Sequence, residues 1–202
     1  MPVLTLPATP LRPVAARPTR KRFTVREFHE MWEAGWFDQC KPMLIAGEVY
    51  EMAKPGPAHN TSLTLADYIF KAIFAAGYVV RIQMPLVLGQ TSDPEPDLAV
   101  VGGSPRDYAT HPSSDLLVVE VADTSLDMDT GAKAQLYAAA GIADYWVIDL
   151  DSRQVIVYRD PRPDPGNPFG ASYATVKPLP AGQAVAPLAA PQALVNVADM
   201  LP

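Results

Sequence analysis

Leu116-Leu117-Val118-Val119-Glu120-Val121-Ala122 is the stretch on which the fold turns. A run this apolar reads as a strand buried on both faces, the pattern of the interior of a parallel or mixed sheet. Glu120 interrupts it. An ionised carboxylate in such a place is very costly unless it is paired or bound to a metal. A buried salt bridge and a metal site both meet that need, and the strand alone does not choose between them.

Upstream, Pro94-Glu95-Pro96-Asp97 leads into Leu98-Ala99-Val100-Val101, a second strand over 97–101 with an acid at its start. Pro-Asp before a strand is usually a turn. Beside Glu120 it gains another meaning, because two adjacent strands can present both carboxylates to one divalent cation. Oxygen-only ligation of that kind suits magnesium or manganese, with waters and a substrate phosphate completing the shell. Downstream, the pattern predicts a helix over 129–140 that ends at Gly141. Its Asp129, Lys133 and Tyr137 stand at i, i+4 and i+8 and share one face. An exposed Asp-Lys pair with a packed tyrosine is one reading. The other is that the helix returns Lys133 to the two carboxylates, where an ammonium orients an attacking water and offsets charge on a phosphorane.

Farther out, Thr24-Val25-Arg26-Glu27 has capping-box spacing, and Val25, Phe28, Trp32 and Trp36 recur on one face of a first helix over 24–36. Met43 to Met52 is strand-like and stops at Pro55-Gly56-Pro57. A second helix over 58–76 is expected to bury Leu65, Ile69, Ala72, Ile73 and Ala76, with Gly77 as its cap and His59 in its first turn. Further strands fall at 78–88, 144–150 and 154–159. The last two flank Asp151-Ser152-Arg153, a hairpin turn in which Asp149 takes part. The proline-rich stretch 161–168 reads as loop, and the remainder as a Pro/Ala-rich tail with one or two short strands. Alternating helices and strands predict an α/β (α+β) domain with a central mixed sheet flanked by helices.

The chain has 202 residues, 49% of them hydrophobic, which supports a single domain. Residues 1–22 form a basic, proline-rich segment expected to be a disordered tail, and 23–202 form the folded domain. Five of the 16 bases lie in that tail without an acid, so 11 bases face 22 acids in the rest of the chain. An acidic body is a poor general nucleic-acid binder, and the tail is the part with charge to attract a phosphate backbone. The single cysteine, Cys40, cannot form an internal disulfide, which favours a reduced cytoplasmic setting and a buried free thiol. No apolar run is long enough for a membrane span.

Taken together, Pro96-Asp97 before an apolar strand, Leu117-Val118-Val119-Glu120-Val121, Asp129 to Lys133, Tyr137, Ala140-Gly141 and Asp144-Tyr145-Trp146-Val147-Ile148-Asp149 resemble the Uma-two family of restriction endonuclease-like proteins, a PD-(D/E)XK branch. The resemblance runs from Gly47-Glu48 to Tyr158. It implies a restriction-endonuclease-like core and a magnesium- or manganese-dependent endonuclease acting on DNA. Asp97 and Glu120 would be the metal ligands, Lys133 the catalytic lysine, and the products would carry a 5′-phosphate. The motif lysine, ordinarily two residues after the glutamate, is replaced there by Ala122 and is displaced onto the helix at Lys133. Glu48 matches the family's N-terminal acid and Pro57-Ala58-His59 its histidine-bearing helix start, so Glu48 and His59 are accessory candidates. Asp123 departs from the small polar residue usual at its position. Two other functions remain open: a catalytically degenerate nuclease fold serving as a binding module, and a hydrolase of a small phosphodiester. A double-strand break would require a homodimer or repeated action, and no base-reading motif is present.

Overall fold

The computed structural model describes residues 19–202. At its centre lies β5 (Leu117–Ala122), whose six residues are all buried. On one side it pairs antiparallel with β4 (Leu98–Gly102), which pairs in turn with β3 (Tyr78–Ile82). On the other it pairs parallel with β6 (Asp144–Asp149), and the sheet continues antiparallel through β7 (Gln154–Pro163) and β8 (Ala171–Pro180). The spatial order is β3-β4-β5-β6-β7-β8. Only the β5–β6 pair is parallel, and the helical segment between those strands is the crossover that a parallel pair requires.

Strand alternation divides the interior into two cores. Leu117, Val119 and Val121 face one side with Leu63, Ala66 and Phe70 of α2 (Pro57–Ile73). Val118 and Ala122 face the other with Ala134, Tyr137 and Ala138 of the crossover. Glu120 shares the parity of Val118 and Ala122, so its carboxylate is delivered to the crossover side. Strands β6 and β7 are joined through the Asp151-Ser152-Arg153 turn, where Asp149 accepts from Ser152 N at 3.1 Å and Gln154 Nε2 at 2.9 Å. Asp144 is fully buried and accepts from Arg159 Nε and Trp146 Nε1, each at 2.8 Å, so the acids that bracket β6 serve the fold.

Several expectations are corrected. The first helix, α1 (Val25–Glu33), carries the expected capping box at Thr24 but buries only Phe28, while Trp32 and Trp36 are exposed. Met43 to Met52 is a hairpin, β1 (Pro42–Ile45) and β2 (Glu48–Glu51), turned at Ala46-Gly47 with positive φ at both. A side chain at Gly47 would collide with Arg22 Cβ at 2.7 Å, so this turn also needs the bare backbone. In α2 the buried stripe is His59, Ser62, Leu63, Ala66 and Phe70, rotated from the predicted one. Polar Ser62 belongs to it because its hydroxyl donates to Met200 O at 2.7 Å. The expected loop after Asp160 continues β7 to Pro163, and the expected tail supplies ten-residue β8. At the sheet edge, prolines cost few ladder bonds, which is why this stretch tolerates them. Cys40 is only partly buried.

The crossover is one helix in three parts: α3 (Leu126–Met128), a π-helical turn (Asp129–Lys133) and α4 (Ala134–Ala139). Such wide turns within α-helices are frequent at functional sites. No helix among the described residues is long and apolar enough to cross a membrane. Most of the 1–22 tail lies outside the described residues. Of its last bases, Lys21 pairs with Glu27 at 2.6 Å and Arg22 with Glu48 at 3.3 Å.

Candidate active site

Strand register builds the site. Ile82 stands opposite Leu98, and Leu98 opposite Val119, so one further step places Gln83, Asp97 and Glu120 in a single row across β3, β4 and β5. Residues opposite one another share a face of the sheet. Gln83 Nε2 donates to Asp97 Oδ1 at 3.3 Å, and Asp97 N donates to Glu120 Oε2 at 3.3 Å. Val121 N donates to Asp97 Oδ2 at 2.9 Å, so the backbone of β5 also holds the acid of β4.

The crossover closes the row from above. Lys133 Nζ sits 3.0 Å from Glu120 Oε2 and 2.9 Å from Asp129 Oδ1, and Tyr137 OH donates to Glu120 Oε1 at 2.8 Å. Glu120 and Asp129 are 1% exposed and Lys133 is 2% exposed. Ser125 Oγ donates to Asp129 Oδ2, which anchors the acid at the start of the π turn. From α2, His59 Nε2 lies 3.1 Å from Asp97 Oδ2, while its Nδ1 is buried without a partner. These groups open on a cleft of about 60 Å³ that Lys41, Pro42, Gln83, Glu95 and Ser125 also line. That holds an ion and a water or two. A phosphodiester must therefore approach at its mouth.

Burial pushes the Glu120 carboxyl up to about 8, opposed by Lys133 and reinforced by Asp129 and Asp97. Burial works against the Lys133 ammonium as well, but Glu120 and Asp129 outweigh it and raise its pKa. Burial also opposes ionisation of Asp97, yet the His59 hydrogen bond and charge, the Val121 amide and Lys133 bring its pKa below the usual carboxylate value. His59 is raised by its hydrogen bond to Asp97, against the effect of burial. Asp97 is thus ionised beside a Glu120 that burial keeps protonated below about 8 unless a further cation offsets its charge.

The structure therefore brings Asp97, Glu120, Lys133 and His59 together and leaves Glu48 out. Glu48 is absent from the cleft lining, and its carboxylate pairs with Arg22 and accepts from Tyr50 OH at 3.2 Å. Gln83 and Asp129 enter as new participants, and Tyr137 changes from a packed aromatic to a ligand of Glu120. The i, i+4, i+8 spacing of Asp129, Lys133 and Tyr137 carried the signal for two of them. Gln83 carried none, since its place follows from register and from a backbone φ of 48°. Among the described residues no group of three or more His, Cys, Asp or Glu side chains forms a metal cage. Magnesium commonly takes one or two carboxylates, with water and phosphate as the remaining ligands, so the Asp97 and Glu120 oxygens fit a hard cation of that type.

A mixed sheet with paired strand carboxylates and a crossover lysine defines a restriction-endonuclease-like α/β domain. The Uma2 family model, described as "Putative restriction endonuclease", matches residues 26–195, and the chain belongs to this family. Among solved structures, one described as a putative nuclease belonging to DUF820 from Anabaena variabilis superposes with a TM-score of 0.66. It is 14% identical, and the match covers 88% of this chain and 97% of that one, a likeness of fold. No curated protein matches the chain.

Proposed function

We propose that this protein is a metal-dependent endonuclease that hydrolyses phosphodiester bonds of DNA, with magnesium or manganese held by Asp97 and Glu120. The observation that carries this reading is the single register row of Gln83, Asp97 and Glu120 under a buried lysine. When bound, the ion supplies a Lewis acid for the phosphoryl group and a water of lowered pKa. Lys133 places a fixed positive charge where negative charge grows on the phosphorus oxygens, in a site dry enough for that charge to count. Asp129 holds the same ammonium independently of Glu120, so the lysine keeps its place and its proton. Gln83 and His59 orient Asp97, and His59 keeps its carboxylate ionised.

The closed hydrogen-bond set around Glu120 favours a second reading, a catalytically degenerate fold that binds nucleic acid without cutting it. The acidic body favours a third, hydrolysis of a small phosphodiester. Incubation of the purified protein with supercoiled plasmid, linear duplex, single strand and a dinucleotide separates them, with magnesium, manganese or EDTA. Endonucleolytic nicking that requires metal and is lost in Asp97→Asn is expected. Binding without cleavage under both metals would select the second reading, and turnover of the dinucleotide alone the third.

A further inference from the structure

We propose that the aromatic cleft next to the Asp97–Glu120 site seats one unstacked nucleobase of the substrate strand, a base that bears an exocyclic amino group. This rests on the nuclease reading above. The two clefts adjoin, for Pro42 and Glu95 line both. Phe28, 3% exposed, lies in the wall of the second cleft, and Trp32, one turn on along α1, keeps 49% of its surface open. Their rings meet edge to face with centroids 6.2 Å apart, which leaves the indole available for stacking. The cleft offers about 270 Å³. Pockets for drug-sized ligands hold roughly 300–1,000 Å³, so this one suits a ring system rather than a whole nucleotide.

Asp93 supplies the independent evidence for a ligand. It is 4% exposed, lines this cleft, and binds His29 Nε2 through Oδ2 at 2.7 Å. Its other oxygen, Oδ1, is buried and has no hydrogen-bond partner. Buried carboxylate oxygens are seldom left without a donor, because the lost hydration is not replaced. Rotation of the carboxylate would turn this oxygen to the cleft, where an amino group on a stacked ring supplies the missing N–H. Charge then sorts the parts of the nucleotide: Glu33, Asp93 and Glu95 line the cleft and repel phosphate, while the neighbouring site carries Lys133. Adenine, cytosine and guanine carry the required amino group, whereas thymine has none, and its one ring N–H lies between two carbonyl oxygens that Asp93 repels.

The test is binding of fluorescently labelled ten-nucleotide single strands of deoxycytidine, deoxyadenosine or thymidine to the full chain, with calcium in place of magnesium. Wild type is expected to bind the amino-bearing strands about tenfold more tightly than thymidine. Trp32→Ala should weaken binding of all three about tenfold and Trp32→Tyr should restore it, a rescue that a folding defect would not show. Asp93→Asn, which keeps the shape of the side chain, should erase the preference. Equal wild-type affinities, or Trp32→Ala at wild-type affinity, would overturn the base seat. So would tryptophan quenching by spermidine without quenching by the oligonucleotides, which would mark a site for organic cations. Plasmid nicking in magnesium by the same proteins separates the two readings. A wild type that nicks, with variants that bind and nick equally well, removes the base seat alone. Base-selective binding without nicking removes the catalytic reading alone, and no binding of any strand removes both.

Discussion

Lys133 Nζ stands 3.0 Å from Glu120 and 2.9 Å from Asp129, so one buried ammonium neutralises carboxylates from two elements that meet only in the folded chain. Breaking a buried pair by removing one partner is more harmful than the pair is beneficial, because a buried charge is left alone. Lys133→Met should therefore destabilise the protein by about 3–5 kcal/mol and abolish cleavage. Urea denaturation and plasmid nicking check the two effects separately. A Lys133→Met protein of wild-type stability would show that Glu120 takes a proton at no cost.

Glu120 tests the metal site without a known substrate. Its carboxyl is raised to about 8 by burial, so its contribution to stability is present below 4.5 and is lost as pH rises toward that value. Glu120→Gln should stabilise the metal-free protein at pH 8 by on the order of 1–3 kcal/mol, since the Lys133–Asp129 pair remains. Magnesium at ten times Kd should stabilise wild type by about 1.4 kcal/mol, raising its Tm by roughly 3–6 °C, and the variant should lose most of that response. Thermal melts at constant ionic strength decide it. An undiminished metal response would remove Glu120 from the ligand set.

His59 and Asp97 shift in opposite directions, His59 up and Asp97 down, each chiefly through the other once burial is overcome. The His59 contribution is present below 6.5 and is lost as pH rises through its raised value. That of Asp97 is present above 3.8 and is lost as pH falls through its lowered one. The stability difference between wild type and His59→Ala should thus be greatest between these values, at about 1–2 kcal/mol, and shrink on both sides. Denaturation midpoints across pH 3 to 9 provide the measurement, and a flat difference would assign His59 a packing role.

Asp115 has both carboxylate oxygens buried and without partners. Burial raises it to about 7, with Arg81 opposing. Its stabilising contribution is complete below 3.8 and disappears as pH climbs to about 7. Asp115→Asn should flatten the loss of stability over that window and add on the order of 2 kcal/mol at pH 8. If the slope persists in the variant, another group is responsible for it.

The amino-acid sequence alone determined the central strand and the crossover, and it singled out the residues proposed to react, because each announces itself locally. An acid inside an apolar run needs a partner wherever the strand lies, and the i, i+4, i+8 spacing sends Asp129, Lys133 and Tyr137 to one side of any helix. The tertiary structure decided the rest. Register, which depends on pairing between distant strands, brought Gln83 into line with Asp97 and left Glu48 with Arg22. The rotation of α2 followed from where Ser62 could find the carbonyl of Met200, 138 residues away in the chain. Likewise, the proline-rich segment after Asp160 became strand because β7 and β8 extend together at the sheet edge, where a missing amide hydrogen costs little. Local periodicity reports which face of an element is apolar, but it cannot report which distant polar group that face will meet.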